Sequence, residues 1–100
     1  MILKQSSTFK KWHGKLKDAK AKAAIAIRLQ RLANGNFGDV ASIGEGLSEL
    51  RIHYGPGYRI YLQQRGERIV LLLLGGDKDS QDRDTRAAKR IAAEWREQDG

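Results

Sequence analysis

Glu49-Leu50-Arg51-Ile52-His53-Tyr54, then Gly55-Pro56-Gly57, then Tyr58-Arg59-Ile60-Tyr61-Leu62-Gln63 is the stretch whose reading decides the fold. Side chains alternate faces along a strand, so Leu50 and Ile52 point one way while Glu49, Arg51 and His53 point the other. In the second run Tyr58, Ile60 and Leu62 make the apolar set, which leaves Arg59, Tyr61 and Gln63 opposite. The Gly-Pro-Gly between them has the composition of a turn rather than of a phosphate loop, so the two runs read as antiparallel neighbours. If their apolar sets share a core, their polar sets share a surface. That surface gathers Arg51, His53, Arg59 and Tyr61.

A third strand follows the turn at Arg65-Gly66-Glu67. It runs from Arg68 to Leu74 and is apolar at every position from Ile69. A strand apolar on both faces is covered on both faces, and the rest of the chain supplies two covers. Upstream, Ile2 to Lys4 predicts a short strand. Ser6, Ser7 or Thr8 then caps a helix carrying Phe9, Trp12 and Leu16 at helical spacing. Asp18 caps a second helix, whose Ile25, Leu29 and Leu32 form an apolar stripe that stops near Asn34-Gly35. Gly35 to Asp39 and Gly44 to Gly46 read as loops around a short strand at Val40 to Ile43. Downstream, Ala87, Ile91 and Trp95 recur every four residues in a last helix, with Asp77 and Asp79 as its candidate caps. The expected architecture over residues 1–100 is a single α+β domain. An N-terminal helical hairpin packs on one face of a mainly antiparallel sheet of four to five strands, and a C-terminal helix covers part of the other face. The uncovered part is a concave basic surface.

Composition narrows the partners. The 19 Lys and Arg against 12 Asp and Glu give a formal charge of +7, which points first to RNA or DNA and second to an acidic protein. The absence of cysteine removes disulfides, thiol nucleophiles and cysteine-rich zinc sites, and is compatible with a cytoplasmic location. No long apolar segment follows Met1 to Ser6, and Ile69 to Leu74 is too short to span a bilayer, so no export or membrane association is expected. His13 and His53 lack the paired spacing of a zinc site, so no metal or other cofactor is expected.

Four motifs carry a resemblance: Gly35-Asn36-Phe37-Gly38-Asp39, Glu49-Leu50-Arg51-Ile52, Gly55-Pro56-Gly57-Tyr58-Arg59-Ile60-Tyr61 and Leu73-Leu74-Gly75-Gly76-Asp77-Lys78. In this order and spacing the chain resembles the RelE/ParE superfamily of toxins from bacterial toxin-antitoxin modules. Within it, the chain is similar to the HigB-like group of addiction-module killer proteins. The resemblance implies one of two activities: RelE-like members cleave messenger RNA, usually on the ribosome, whereas ParE-like members inhibit DNA gyrase. It also implies a cognate antitoxin, an acidic segment joined to a helix-turn-helix domain, through which alone operator DNA would be met.

Arg51 and Arg59 lead the candidate residues. A guanidinium holds phosphate through paired hydrogen bonds and stays charged at any cellular pH, so it would stabilise the charge that builds as a 2'-hydroxyl attacks the scissile phosphate. Their plain alternative is a solvent-facing strand position paired with Glu49 and another carboxylate; the resemblance places basic residues of RelE-like nucleases here. His53, two residues beyond Arg51, is the side chain best suited to move a proton near neutral pH, or is incidental; many RelE-like proteins carry lysine at this place. Glu49 is either a base on the same face or the salt-bridge partner that positions Arg51. Lys78 falls where the resemblance puts a basic catalytic residue. Tyr61 is a candidate for stacking on an RNA base, while Tyr58 belongs by alternation to the core. The series Lys10, Lys11, Lys15, Lys17, Lys20 and Lys22 is a solvated helical face or a salt-sensitive contact with ribosomal RNA.

The expected function is metal-independent cleavage of messenger RNA in the ribosomal A site, giving a 2',3'-cyclic phosphate, or its opened 3'-phosphate, and a 5'-hydroxyl. Arg51, Arg59 and Lys78 would bind phosphate, with His53 or Glu49 moving protons. A gyrase-inhibiting or purely protein-binding toxin is the rival, and a decayed toxin that binds only its antitoxin and DNA is the third reading.

Overall fold

The first two helices each start where a short polar side chain satisfies their first free amides. The Ser6 hydroxyl accepts from the Phe9 amide at 2.9 Å, and the Asp18 carboxylate accepts from the amides of Lys20 and Ala21. The computed structural model describes residues 1–95. In chain order these form β1 (Ile2–Gln5), α1 (Ser7–Lys15), α2 (Ala19–Ala33), β2 (Val40–Gly44), β3 (Leu47–Ile52), β4 (Tyr58–Arg65), β5 (Ile69–Gly76), a 3-10 turn (Lys78–Ser80) and α3 (Gln81–Glu94). The α2 helix ends at Asn34, and Gly35 takes the left-handed φ of +89° that a β-carbon would disfavour.

The strands make one five-stranded sheet in the order β1-β5-β4-β3-β2. Only β1 runs parallel to its neighbour; the other pairs are antiparallel. The fold is therefore α+β, as the alternation and caps predict.

One face of the sheet packs Leu50, Ile52, Ile60, Leu62, Val70 and Leu72 beneath Phe9, Ile25 and Leu32 of α1 and α2. The other face packs Leu47, Tyr61, Leu71, Leu73 and Leu74 beneath Ala88 and Ala92 of α3 and Trp95 just beyond it. A bulge makes the second core possible. Tyr61 pairs with Leu74 and Leu62 with Leu72, so Leu73 is the extra residue, and both Leu73 and Leu74 turn toward α3.

The packed face of α3 differs from the expected one by one residue. Asp84, Ala88 and Ala92 are buried, whereas Ala87 and Ile91 lie half-buried at the flank; Trp95 is buried as expected. Small alanines on the contact line let the helix lie close to the sheet. Its end is held by Arg65, which donates to the carbonyls of Trp95 at 2.9 Å and Ala92 at 2.6 Å. At its start, Gly75 and Gly76 allow close approach from both sides. A β-carbon on Gly75 would lie 2.3 Å from the Trp12 ring, and one on Gly76 would lie 1.9 Å from the Asp84 carboxylate. Asp77 caps the 3-10 turn ahead of α3, accepting from the amides of Asp79 and Ser80, whereas α3 itself starts at Ser80 without a side-chain cap, so neither Asp77 nor Asp79 caps the last helix as expected. Among the described residues no helix is long and apolar enough to cross a membrane.

Candidate phosphate-binding site

The register lays one row of residues across four neighbouring segments. Arg51 donates its amide to the Asp39 carbonyl at 3.0 Å, Arg51 pairs with Arg59, and Arg59 pairs with Gly76. The adjacent row on the same face is Ala41, Glu49, Tyr61 and Leu74. Paired residues share a face, so both rows look toward α3. In the second, Glu49, Tyr61 and Leu74 are buried, and Tyr61 and Leu74 lie beneath α3.

Glu49 is 1% exposed and accepts three hydrogen bonds. Its Oε1 takes Arg51 Nε at 3.1 Å and Arg59 Nε at 3.0 Å, and its Oε2 takes Gln81 Nε2 at 2.8 Å from the first residue of α3. Burial alone would push this carboxyl up. The donors Arg51, Gln81 and Arg59 outweigh it and hold Glu49 below the usual carboxylate range. A carboxylate so fully engaged has no free lone pair aimed at solvent, which corrects its candidacy as the base and makes it the anchor of both arginines.

Because each guanidinium is held through Nε, its terminal nitrogens are left to point onward. Arg59 Nη1 donates to the Gly57 carbonyl at 3.0 Å; the other terminal nitrogens of Arg51 and Arg59 have no protein acceptor among the described residues. The side chains remain 41% and 14% exposed respectively. Lys78 joins them from the 3-10 turn. A β-carbon on Gly57, whose φ is +79°, would lie 3.6 Å from Arg59 Nη1 and 3.7 Å from Lys78 Cβ, so the lysine stem and the guanidinium flank one turn. Lys78 is exposed and makes no ion pair among the described residues. Arg51, Arg59 and Lys78 thus gather around the buried Glu49 anion, with Asp77 and Asp79 flanking the lysine in sequence and the Asp84 carboxylate over Gly76.

Tyr61 does not join this surface. It is fully buried beneath α3, which corrects the expectation that it stacks on a base. Among the described residues its hydroxyl meets no hydrogen-bond partner, although Thr85 lies near. Burial, with the charges of Glu49 and Asp84, pushes that phenol up to about 12.

His53 lies one residue beyond β3, with its side chain 76% exposed. Its Nε2 meets Asp39 Oδ2 at 2.5 Å. That hydrogen bond holds the Asp39 carboxyl below the usual range, with desolvation opposing it and the nearby Arg51 and Arg28 charges adding to it. Arg28, reaching from α2, fixes this corner by donating to the carbonyls of Arg51, Phe37 and Asp39. The structure thus brings Arg51, Arg59, Lys78 and His53 to one end of the sheet and places Glu49 beneath them. Sequence reasoning missed Asp39, Gln81 and Arg28 as members of the site. Asp39 was detectable only through the β2–β3 register, and Gln81 only through the rotation of α3.

Among known proteins, one from Haemophilus influenzae bearing the description "Uncharacterized protein" is 49% identical over 92 residues, covering 92% of this chain and 93% of its own. The chain belongs to the family of that protein. No protein-family model matches the chain. The match takes in nearly the whole of both sequences, and the relative's description names no activity to carry over.

Proposed function

We propose that this protein is a toxin of a toxin-antitoxin module, of the RelE/ParE kind and HigB-like, that cleaves messenger RNA on the ribosome without a metal. The observation that carries the reading is the pair of guanidiniums fixed on one buried oxygen of Glu49, with terminal nitrogens facing out beside Lys78. Such donors are preorganised for a phosphate whose charge grows during reaction, and one well-placed donor is worth about 3 kcal/mol, or roughly 10² to 10³ in rate.

The chemistry needs little else. The RNA 2'-oxygen forms a bond to phosphorus, the bond to the 5'-oxygen breaks, and the products are a 2',3'-cyclic phosphate and a 5'-hydroxyl. In-line displacement puts the attacking and leaving oxygens on opposite sides of phosphorus. His53 beside Asp39 and Lys78 beyond Gly76 stand at opposite ends of the arginine row, so His53 takes the proton from the 2'-hydroxyl and the Lys78 ammonium gives one to the leaving 5'-oxygen. The ribosome supplies the remaining orientation of the substrate, in the cytoplasm where translation occurs. An acidic antitoxin segment, complementary to the +7 chain, would silence the toxin by covering Arg51 and Arg59.

Induction of the protein followed by primer-extension mapping of transcripts tests the reading, with a gyrase supercoiling assay alongside. Discrete cuts within translated frames are expected. Intact messages together with inhibited gyrase would move the assignment to a ParE-like toxin. Co-purification from the native operon should recover an acidic partner, and recovery of the chain alone, harmless to its host, counts against the module.

A further inference from the structure

We infer that Asp39 is a positioning residue that holds the proton of neutral His53 on Nε2 and so makes Nδ1 the nitrogen that accepts a proton from substrate. The inference rests on the nuclease reading for its catalytic half, and on geometry alone for its structural half. An ionised carboxylate only accepts hydrogen bonds, so the 2.5 Å contact between Asp39 Oδ2 and His53 Nε2 requires N–H at Nε2. Neutral imidazole carries a single N–H. Nδ1 is then the bare, basic nitrogen, and no protein partner meets it among the described residues.

The backbone supports this orientation from both sides. Arg51 donates its amide to the Asp39 carbonyl, and Arg28 donates to the carbonyls of both Asp39 and Arg51, so Asp39 is tied to the strand that leads into His53. Gly38, at φ +67°, lets Arg28 pass, since a β-carbon there would lie 2.8 Å from Arg28 Nη2. The charged groups around the pair are Asp39 itself, Arg51 from β3 and Arg28 from α2; Tyr54, next in the chain, faces away to Asp18. When His53 takes the 2'-hydroxyl proton it becomes a cation, and Asp39 is the anion against it. Proton balance is simple: the proton leaves the 2'-oxygen, Nδ1 receives it, and Nε2–H stays on Asp39 throughout.

Nitrogen-15 spectra of the histidine ring in the intact protein, compared with Asp39→Asn, read the structural half without any substrate. The expected result is a neutral His53 ring protonated on Nε2 in the wild type to a greater extent than a free histidine ring, with the Nδ1-protonated form rising in Asp39→Asn, whose amide can donate as well as accept. A wild-type ring protonated on Nδ1, or one unchanged by the substitution, overturns the inference. Single-turnover cleavage on programmed ribosomes reads the catalytic half. Asp39→Asn should lose on the order of 10² in rate, the lower end of what general-base catalysis supplies, and change the pH profile near neutrality. Adding it to His53→Ala should cost nothing further. Unchanged rate and pH profile in Asp39→Asn, or losses that multiply in the double variant, overturn it. A wild type that holds the Nε2 proton but cuts no RNA instead sinks the nuclease reading and with it the catalytic half, leaving the ring orientation established.

Discussion

Glu49 with Tyr61, and Arg51 with Arg59, are consecutive rows of one sheet face, two residues apart on each strand, and they end up in opposite environments. The first row is sealed at 1% and 0% exposure. The second keeps its arginines in reach of solvent. Both rows have the same side of the sheet and the same neighbours. What divides them is the start of α3, where Gln81 reaches Glu49 and the helix then runs over Tyr61. Alternation along a strand tells which face a residue occupies; only the next layer tells whether that face is wet. The two rows also depend on each other, because the buried anion of the first aims the cations of the second.

The largest expected effect comes from removing that anion. Glu49→Ala leaves two guanidiniums without their anchor and should cost about 2–4 kcal/mol, somewhat below the usual figure for breaking a buried pair because Arg51 reaches solvent. Urea denaturation measures this, and an unchanged midpoint would separate the two rows energetically. Cleavage should fall with it even under conditions where the variant is folded.

Next in size is the close approach that lets α3 begin where it does. Gly76→Ala drives a methyl into the Asp84 carboxylate and the Ser80 hydroxyl, and should destabilise by about 2 kcal/mol, typical of overpacking. Because Gly76 pairs with Arg59, the same variant should displace the open row. A thermal melt matching the wild type would show that α3 can shift without cost.

The strands, caps and helical covers were legible in the sequence because each rests on local patterns: two-residue alternation around Leu50 and Ile60, the Ser6 and Asp18 caps, and the apolar run from Ile69. The placement of Arg51 and Arg59 on one face was legible for the same reason. Tyr61 was misread since its own strand says nothing about the helix above it. The contact line of α3 was off by one residue because Ala87 and Ala88 are alike in hydrophobicity, and only packing distance chooses between them. Asp39 was invisible as the partner of His53, since fourteen residues of loop and strand separate them and the β2–β3 register joins them.

A smaller effect concerns pH. Glu49 has its folded-state pKa below the unfolded value of about 4.3, so it binds fewer protons folded than unfolded near that value. Its stabilisation is therefore complete above the unfolded pKa and is lost as pH falls through the lower folded value. Urea unfolding followed from about pH 7 to about pH 2.5 should show this decline, and Glu49→Gln should flatten it. Asp39 contributes in the same direction, and the contribution should shrink in His53→Ala, where Arg51 and Arg28 remain.

The smallest effect is expected at Tyr61. Its hydroxyl is buried with no partner among the described residues, so Tyr61→Phe should change stability by less than about 1 kcal/mol, in either direction. Chemical denaturation is sensitive enough to see a larger loss, which would mean that the hydroxyl is bonded in solution.

The contrast between the rows is tested most directly by single-turnover cleavage on programmed ribosomes, comparing Arg59→Ala with Tyr61→Phe and using circular dichroism to verify folding. The account predicts that Arg59→Ala loses about 10² or more at every pH, since the missing group is charged throughout and acts on the developing phosphate charge. Tyr61→Phe should cut at the wild-type rate. Folded Arg59→Ala with full activity, or a loss confined to Tyr61→Phe, would contradict the placement of the working surface on the open row.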